Sequence, residues 1–156
     1  ERLYNTHKNS PKEIICNWGL QIIITRGELD SYQKWKPSRR IRGKDIFPIG
    51  VGGILYPPNS LSREVFNKEV FMKICPKADD IWFKAMGLLK GTNTRIISIK
   101  RKGLKIYTIR ASQKHNLAKL NVGMNNNDER AREVFKKYSL IQEIKNKRKM
   151  DTKQQD

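Results

Sequence analysis

The sequence predicts an α/β fold, and three observations carry that reading. Short runs rich in Ile and β-branched residues occur at 14–27, 94–99 and 104–109. Segments with apolar residues at helical spacing occupy 62–74, 79–90 and 127–146. The two kinds alternate along the chain, as they do where helices pack on a sheet. The length of 156 residues, with 37% hydrophobic and 31% charged, suits one modest domain with a core and polar extensions.

Residues 1–13 are polar and read as irregular. "IICNWGLQIIITRG", 14–27, reads as one or two short buried strands broken near Gly19. The stretch 27–46 is polar and basic, contains Pro37 and Gly43, and is expected to be a loop. Ile49 to Tyr56 reads as extended, with "GVGG" as a tight bend inside it, and Pro57 and Pro58 end it because proline cannot donate to a ladder. Ser62 is placed to cap a short helix in which Val65, Phe66, Val70, Phe71 and Ile74 recur at near-helical spacing. Pro76 ends that helix. Asp79 starts the next, which runs to about Lys90, with Gly91 as its C-cap. "TRIISI" and "LKIYTI" then read as strands joined by "KRKG", "QKHNLAKL" as a short helix, and 127–146 as a terminal helix capped by Asn127 or Asp128. The remainder, 147–156, reads as a disordered tail.

Charge and cysteine usage narrow the classes. The formal net charge of +18 attracts anions: nucleic acid, acidic lipid headgroups or pyrophosphates. From Lys34 to Lys44 six residues are basic (Lys34, Lys36, Arg39, Arg40, Arg42, Lys44) and none acidic. A second acid-free stretch, 91–127, carries eight more. Either cluster is read as a solvated basic face or as an anion site. Cys16 and Cys75 lie far apart without metal-ligand spacing, as in a protein with reduced thiols, and His7 and His115 are isolated. No apolar run approaches the roughly 20 residues that span a bilayer. No signal peptide is recognisable and the chain opens on Glu1 rather than Met, so Glu1 is expected to be interior to a longer protein.

Two features could carry chemistry. Asp79 and Asp80 directly precede the apolar run Ile81-Trp82-Phe83. A helix N-terminus presents free N–H groups and partial positive charge, so the pair reads first as a helix start. A carboxylate fixed at the end of a buried helix can equally serve as a general base for a hydroxyl in an adjoining cleft. Gly50, Gly52 and Gly53 read either as a strand bend or as backbone that lets a ligand approach closely. Neither the G-x-G-x-x-G nor the P-loop pattern is present.

"GVGGILYPPNSL", "EVFNKEVFMKICPKADDIWFKAMGLL" and "QKHNLAKLNVGMNNNDER", in that order, resemble the C-terminal half of a bacterial glycosyltransferase family of cell-surface polysaccharide biosynthesis. That family is similar to the GT-A nucleotide-sugar transferases. The resemblance covers roughly residues 45–140 and is most specific in "GVGGILYPP…CPKADDIWF". It implies that residues 1–146 are the C-terminal, acceptor-side part of a GT-A-like fold. Gly50, Gly52 and Gly53 match a loop under donor sugar and acceptor. Asp80 matches the general base of inverting members, Asp79 a residue that binds acceptor hydroxyls or orients the loop, and Trp82 the aromatic packed behind the motif.

The resemblance also implies a nucleotide-sugar donor, a glycan or lipid-linked acceptor, and Mn²⁺ or Mg²⁺ held mainly by an Asp-x-Asp motif. No Asp-x-Asp occurs here, so that half would lie upstream of Glu1. His115 is the one later candidate for a metal ligand. On this reading the chain is inactive by itself, cytoplasmic, and peripheral at the inner face of an anionic membrane. Each basic side chain near that surface would contribute on the order of 1 kcal/mol. A core cut in half would also expose a sheet edge and an apolar face, favouring a dimer. Two other classes stay open: a basic nucleic-acid-binding module, and a noncatalytic module that binds a partner protein.

Overall fold

A computed structural model describes residues 1–97 and 126–145. The expected strand 104–109, the helix "QKHNLAKL", His115 and the tail lie outside the described residues, as does the end of the strand 94–99. The described part is mixed α/β. A four-stranded mixed sheet has the order β5 (Arg42–Gly43), β8 (Thr94–Ile96), β1 (Ile14–Cys16), β7 (Ile54–Leu55). β1 runs parallel to β8, while β5 pairs antiparallel with β8 and β7 antiparallel with β1. Two smaller antiparallel pairs accompany it: β2 (Gly19–Gln21) with β6 (Ile46–Pro48), and the hairpin β3 (Ile24–Thr25) with β4 (Glu28–Leu29). Arg26 and Gly27, both at positive φ (52° and 93°), make the hairpin turn, and this hand matches the strand twist.

The helices are α1 (Arg2–Asn9), α2 (Lys68–Ile74), α3 (Asp79–Leu89) and α4 (Asn126–Lys137), with a further helical segment at 140–145. α3 is the centre of the core. Its Ile81, Trp82, Ala85, Met86 and Leu88 are buried, together with Phe47 from β6 and Val134, Phe135, Leu140 and Ile144 from the C-terminal helices. Each large apolar side chain buried this way contributes about 1.5–3 kcal/mol. Trp82 packs on Phe71 and Tyr138, with ring centroids 5.7 and 6.3 Å away, and its indole N–H donates to the Val65 carbonyl at 3.2 Å.

Several expectations are corrected. Residues 2–9 are helical rather than irregular; α1 has no fully buried residue and rests against β1 and β7. The 27–46 stretch is not a plain loop, since it contains β4, a 3-10 turn at Tyr32–Lys34 and β5. The helix begun at Ser62 is two pieces. Ser62 caps a 3-10 turn, Arg63–Phe66, and the Asn67 side chain then caps α2 by accepting from Val70 N–H at 3.2 Å. Asp79 is not the cap of α3: Ala78 is, and both aspartates sit in the first turn. Asp128 does not cap α4 but accepts from the Ser31 hydroxyl at 2.7 Å and the Tyr32 N–H at 2.5 Å. The terminal helix breaks at Ser139 (φ 53°), which re-aims Leu140 and Ile144 into the core.

Candidate functional site

Pro76 prevents α2 from continuing, because it lacks an N–H and disfavours helical backbone at Cys75. Ala78 N–H closes the turn onto the Cys75 carbonyl at 3.0 Å, and the first bond of α3 runs from Trp82 N–H to the Ala78 carbonyl at 3.2 Å. Seven of the eleven residues of α3 are buried, so its N-terminus is held rigidly. Two adjacent carboxylates therefore meet different surroundings. Asp79 is exposed; Asp80 is partly buried, and its Oδ1 accepts from Ile81 N–H at 2.9 Å. Burial, and then the charge of Asp79, push the Asp80 carboxyl up to about 6, against the partial relief of backbone N–H groups.

The charge of this carboxylate reaches two tyrosines. Tyr32 is pushed up to about 12 by burial and by the charge of Asp80. It belongs to an aromatic cluster with Trp35 and Phe47, with centroids 5.0 and 5.6 Å away. The Tyr56 hydroxyl is likewise raised by burial, and then by Asp80, Asp79 and Cys16. Tyr56 packs on Phe83 at 5.4 Å, and its hydroxyl has no hydrogen-bond partner among the described residues. A buried hydroxyl left without a partner carries a desolvation cost.

The glycines precede Tyr56 by a few residues. Gly50–Gly52 form a 3-10 turn and Gly53 follows at φ 85°, a conformation other residues rarely adopt. Asn17 Nδ2 anchors the turn by donating to the Gly52 carbonyl at 2.7 Å, and a Cβ on Gly52 would press on the Trp18 ring at 3.3 Å. Gly50 is different. It has no positive φ, and a Cβ there would meet nothing within 4 Å. Folding does not require glycine at that position. From Gly53 to Tyr56 is three residues, at most about 10 Å of chain, so β7 joins the turn to Tyr56.

Trp82 is 2% exposed and fully engaged in the core, so it supports the helix start from behind and offers no face to a ligand in this structure. His115 lies outside the described residues. Both cysteines are free and buried, and burial pushes each thiol up to about 12, far from a reactive thiolate.

Sequence reading overlooked Lys84, one turn beyond Asp80. It is 1% exposed, its Nζ lies 3.2 Å from Thr94 Oγ1, and burial drives its ammonium down to about 7, partly opposed by the charge of buried Asp45. A signal was present: Lys84 interrupts "IWFKAMGLL", a helix apolar on every face, so it has no solvated side to occupy.

The basic run 34–44 also differs from a solvated face. Lys34 pairs with Asp30, Arg40 with Asp45, Arg42 with Glu13 and Lys44 with Glu143, so four of its six cations meet acids. Glu13 and Glu143 are distant in sequence, which made this neutralisation invisible along the chain. In comparisons with protein-family models, curated proteins and solved structures, nothing matches this chain.

Proposed function

We propose that this chain is the acceptor side of a GT-A-like glycosyltransferase, moving a sugar from a nucleotide-sugar donor to a glycan hydroxyl in surface polysaccharide synthesis. The observation that carries the reading is Asp80: a carboxylate in the first turn of a buried helix, raised to about 6, whose charge reaches a buried tyrosine hydroxyl that has no partner among the described residues. Such a group is ionised near neutral pH yet basic enough to accept a proton. Asp80 takes the acceptor hydroxyl's proton as that oxygen bonds to the anomeric carbon and the bond to the diphosphate breaks. Asp79, exposed beside it, binds neighbouring acceptor hydroxyls, and the open face of Gly50 lets sugar approach the backbone.

Among the described residues no group of three His, Cys, Asp or Glu side chains could hold a metal ion. In this reading Mn²⁺ or Mg²⁺ belongs to an Asp-x-Asp motif outside the chain and would neutralise the leaving diphosphate. No described helix is long and apolar enough to cross a membrane, and the reading takes the acceptor from the cytoplasmic side of one.

The test is nucleoside diphosphate release across a panel of nucleotide sugars, by the protein carrying this chain together with an Asp-x-Asp half. Asp80→Asn is expected to cost about 10²–10⁴-fold in turnover with the fold intact. Full activity in that variant would sink the assignment. Nucleic-acid binding rests on net charge, and the internal pairing of the 34–44 run removes much of its most compact cluster. Salt-sensitive binding of duplex DNA without sugar-nucleotide turnover would restore it.

A further inference from the structure

The turn before β1, the turn at 57–60 and the turn after α3 enclose an open cleft of about 500 Å³. It lies at the opposite end of α3 from Asp80. The ten helical steps from Asp80 to Lys90 correspond to roughly 15 Å at the helical rise. Lys12, Arg42 and Lys90 line the cleft against a single acid, Glu13. That acid is already committed, since its two oxygens hold the guanidinium groups of Arg42 and Arg95. Neither Lys12 nor Lys90 has an ion-pair partner among the described residues. The lining therefore carries positive charge that the fold leaves unbalanced.

A second observation is independent of charge. Ser60 also lines the cleft and is 4% exposed, yet its hydroxyl has no hydrogen-bond partner among the described residues. Its backbone is fixed: the amide donates to the Pro57 carbonyl at 3.1 Å, and the carbonyl accepts from Thr92 Oγ1 at 2.7 Å. A rigid buried hydroxyl left without a partner is costly unless a ligand completes it.

We infer that this cleft binds a phosphate-type dianion, with Lys12 and Lys90 supplying the charge and the unpaired Ser60 hydroxyl turning from its buried position in the cleft wall to donate to one of its oxygens. The inference is independent of the glycosyltransferase reading. Free phosphate, a phosphomonoester and a phosphatidic-acid headgroup share this chemistry.

The test is a titration of the full chain with inorganic phosphate at constant ionic strength, read by thermal shift and by phosphorus NMR line broadening. A saturable rise in Tm is expected. The K12Q/K90Q pair should weaken binding about tenfold or more. The charge-matched pair K68Q/K73Q, on α2, should change it less than about twofold, because only the general field is reduced. Ser60→Ala should raise Tm without phosphate, since an unsatisfied hydroxyl is removed, and should shrink the phosphate-dependent increment. In a parallel arm, phosphatidic-acid vesicles bound by the wild type, released by inorganic phosphate and ignored by K12Q/K90Q would identify a lipid source for the same anion. Equal losses in the two double variants would overturn the proposal, and so would the absence of saturable binding in both arms.

Discussion

Asp79 and Asp80 are neighbours in sequence with different surroundings, and the difference can be tested at the residue. The Asp80 carboxyl is raised from 3.8 to about 6, so the folded state holds its proton more tightly than the unfolded chain does. The stability it contributes is complete below about pH 4 and is lost as pH rises through 6. Discounted for partial exposure, Asp80→Asn should then stabilise the fold by about 1–2 kcal/mol near pH 7.5 and leave it unchanged near pH 3.5. Urea melts at the two pH values check this. A helix-start carboxylate with no other role would show the reverse, a loss on substitution at pH 7.5. Turnover should rise with pH through an apparent value near 6 as the base ionises. The glycines separate in the same way. Gly53→Ala should cost about 1–3 kcal/mol, because φ is 85° there. Gly50→Ala should stay within about 0.5 kcal/mol in stability yet raise the acceptor KM, because its Cβ would enter open space. An unchanged KM would remove Gly50 from the site.

Among the elements, α3 connects core and site. Its buried faces fix the N-terminal turn, and its one internal charge, Lys84, makes that rigidity pH-dependent. The Lys84 ammonium is lowered to about 7, so between pH 7 and 10 the unfolded chain binds a proton that the folded chain does not, and stability rises with pH across that window. Lys84→Met should flatten that rise and stabilise the protein by about 1–2 kcal/mol at pH 7. Asp45 pairs with Arg40 at 3.1 Å and so does not depend on Lys84 alone for a cationic neighbour. Chemical denaturation from pH 6 to 10 reads both effects. α4 holds the far side. Through Asp128 it ties down the turn that carries Tyr32, one of the two tyrosines that the charge of Asp80 reaches. Asp128→Ala should cost about 2–3 kcal/mol, because two donors lose a charged acceptor; a loss of under about 0.5 kcal/mol in a thermal melt would show the tie to be incidental.

For the whole molecule the governing quantity is the net charge of +18. The structure distributes it unevenly: the 34–44 run is largely paired, while the cleft beside Lys12 and Lys90 is not. Self-repulsion of the surplus should make the protein more stable in salt, because ions screen like charges over about 10 Å at 0.1 M. Melting should shift upward by a few degrees between 50 and 300 mM NaCl. A downward shift would mean that the surface ion pairs outweigh the surplus.

Much of the architecture was legible in the sequence because it depends on neighbours a few residues apart. Continuous apolar runs marked α3 and Ile-rich runs marked β1, β2 and β8, and Pro76 and Gly91 bounded α3. The Asp79-Asp80 pair and the glycine turn stood out through local chemistry. Other features depended on contacts between distant residues. The helix at 2–9 is short and offers only Leu3 and Tyr4 as apolar residues, too few to set it apart from a polar loop. The partners of Arg42 and Lys44 lie at Glu13 and Glu143. The burial that raises Asp80 and lowers Lys84 comes from packing around α3. The sequence alone determined which residue types stand at a helix start and in a glycine turn, because capping, helical period and backbone freedom are short-range. Only the tertiary structure decided which carboxylate is half-buried, which cations are neutralised and which hydroxyls are left without partners, because desolvation and charge pairing depend on what the fold brings together.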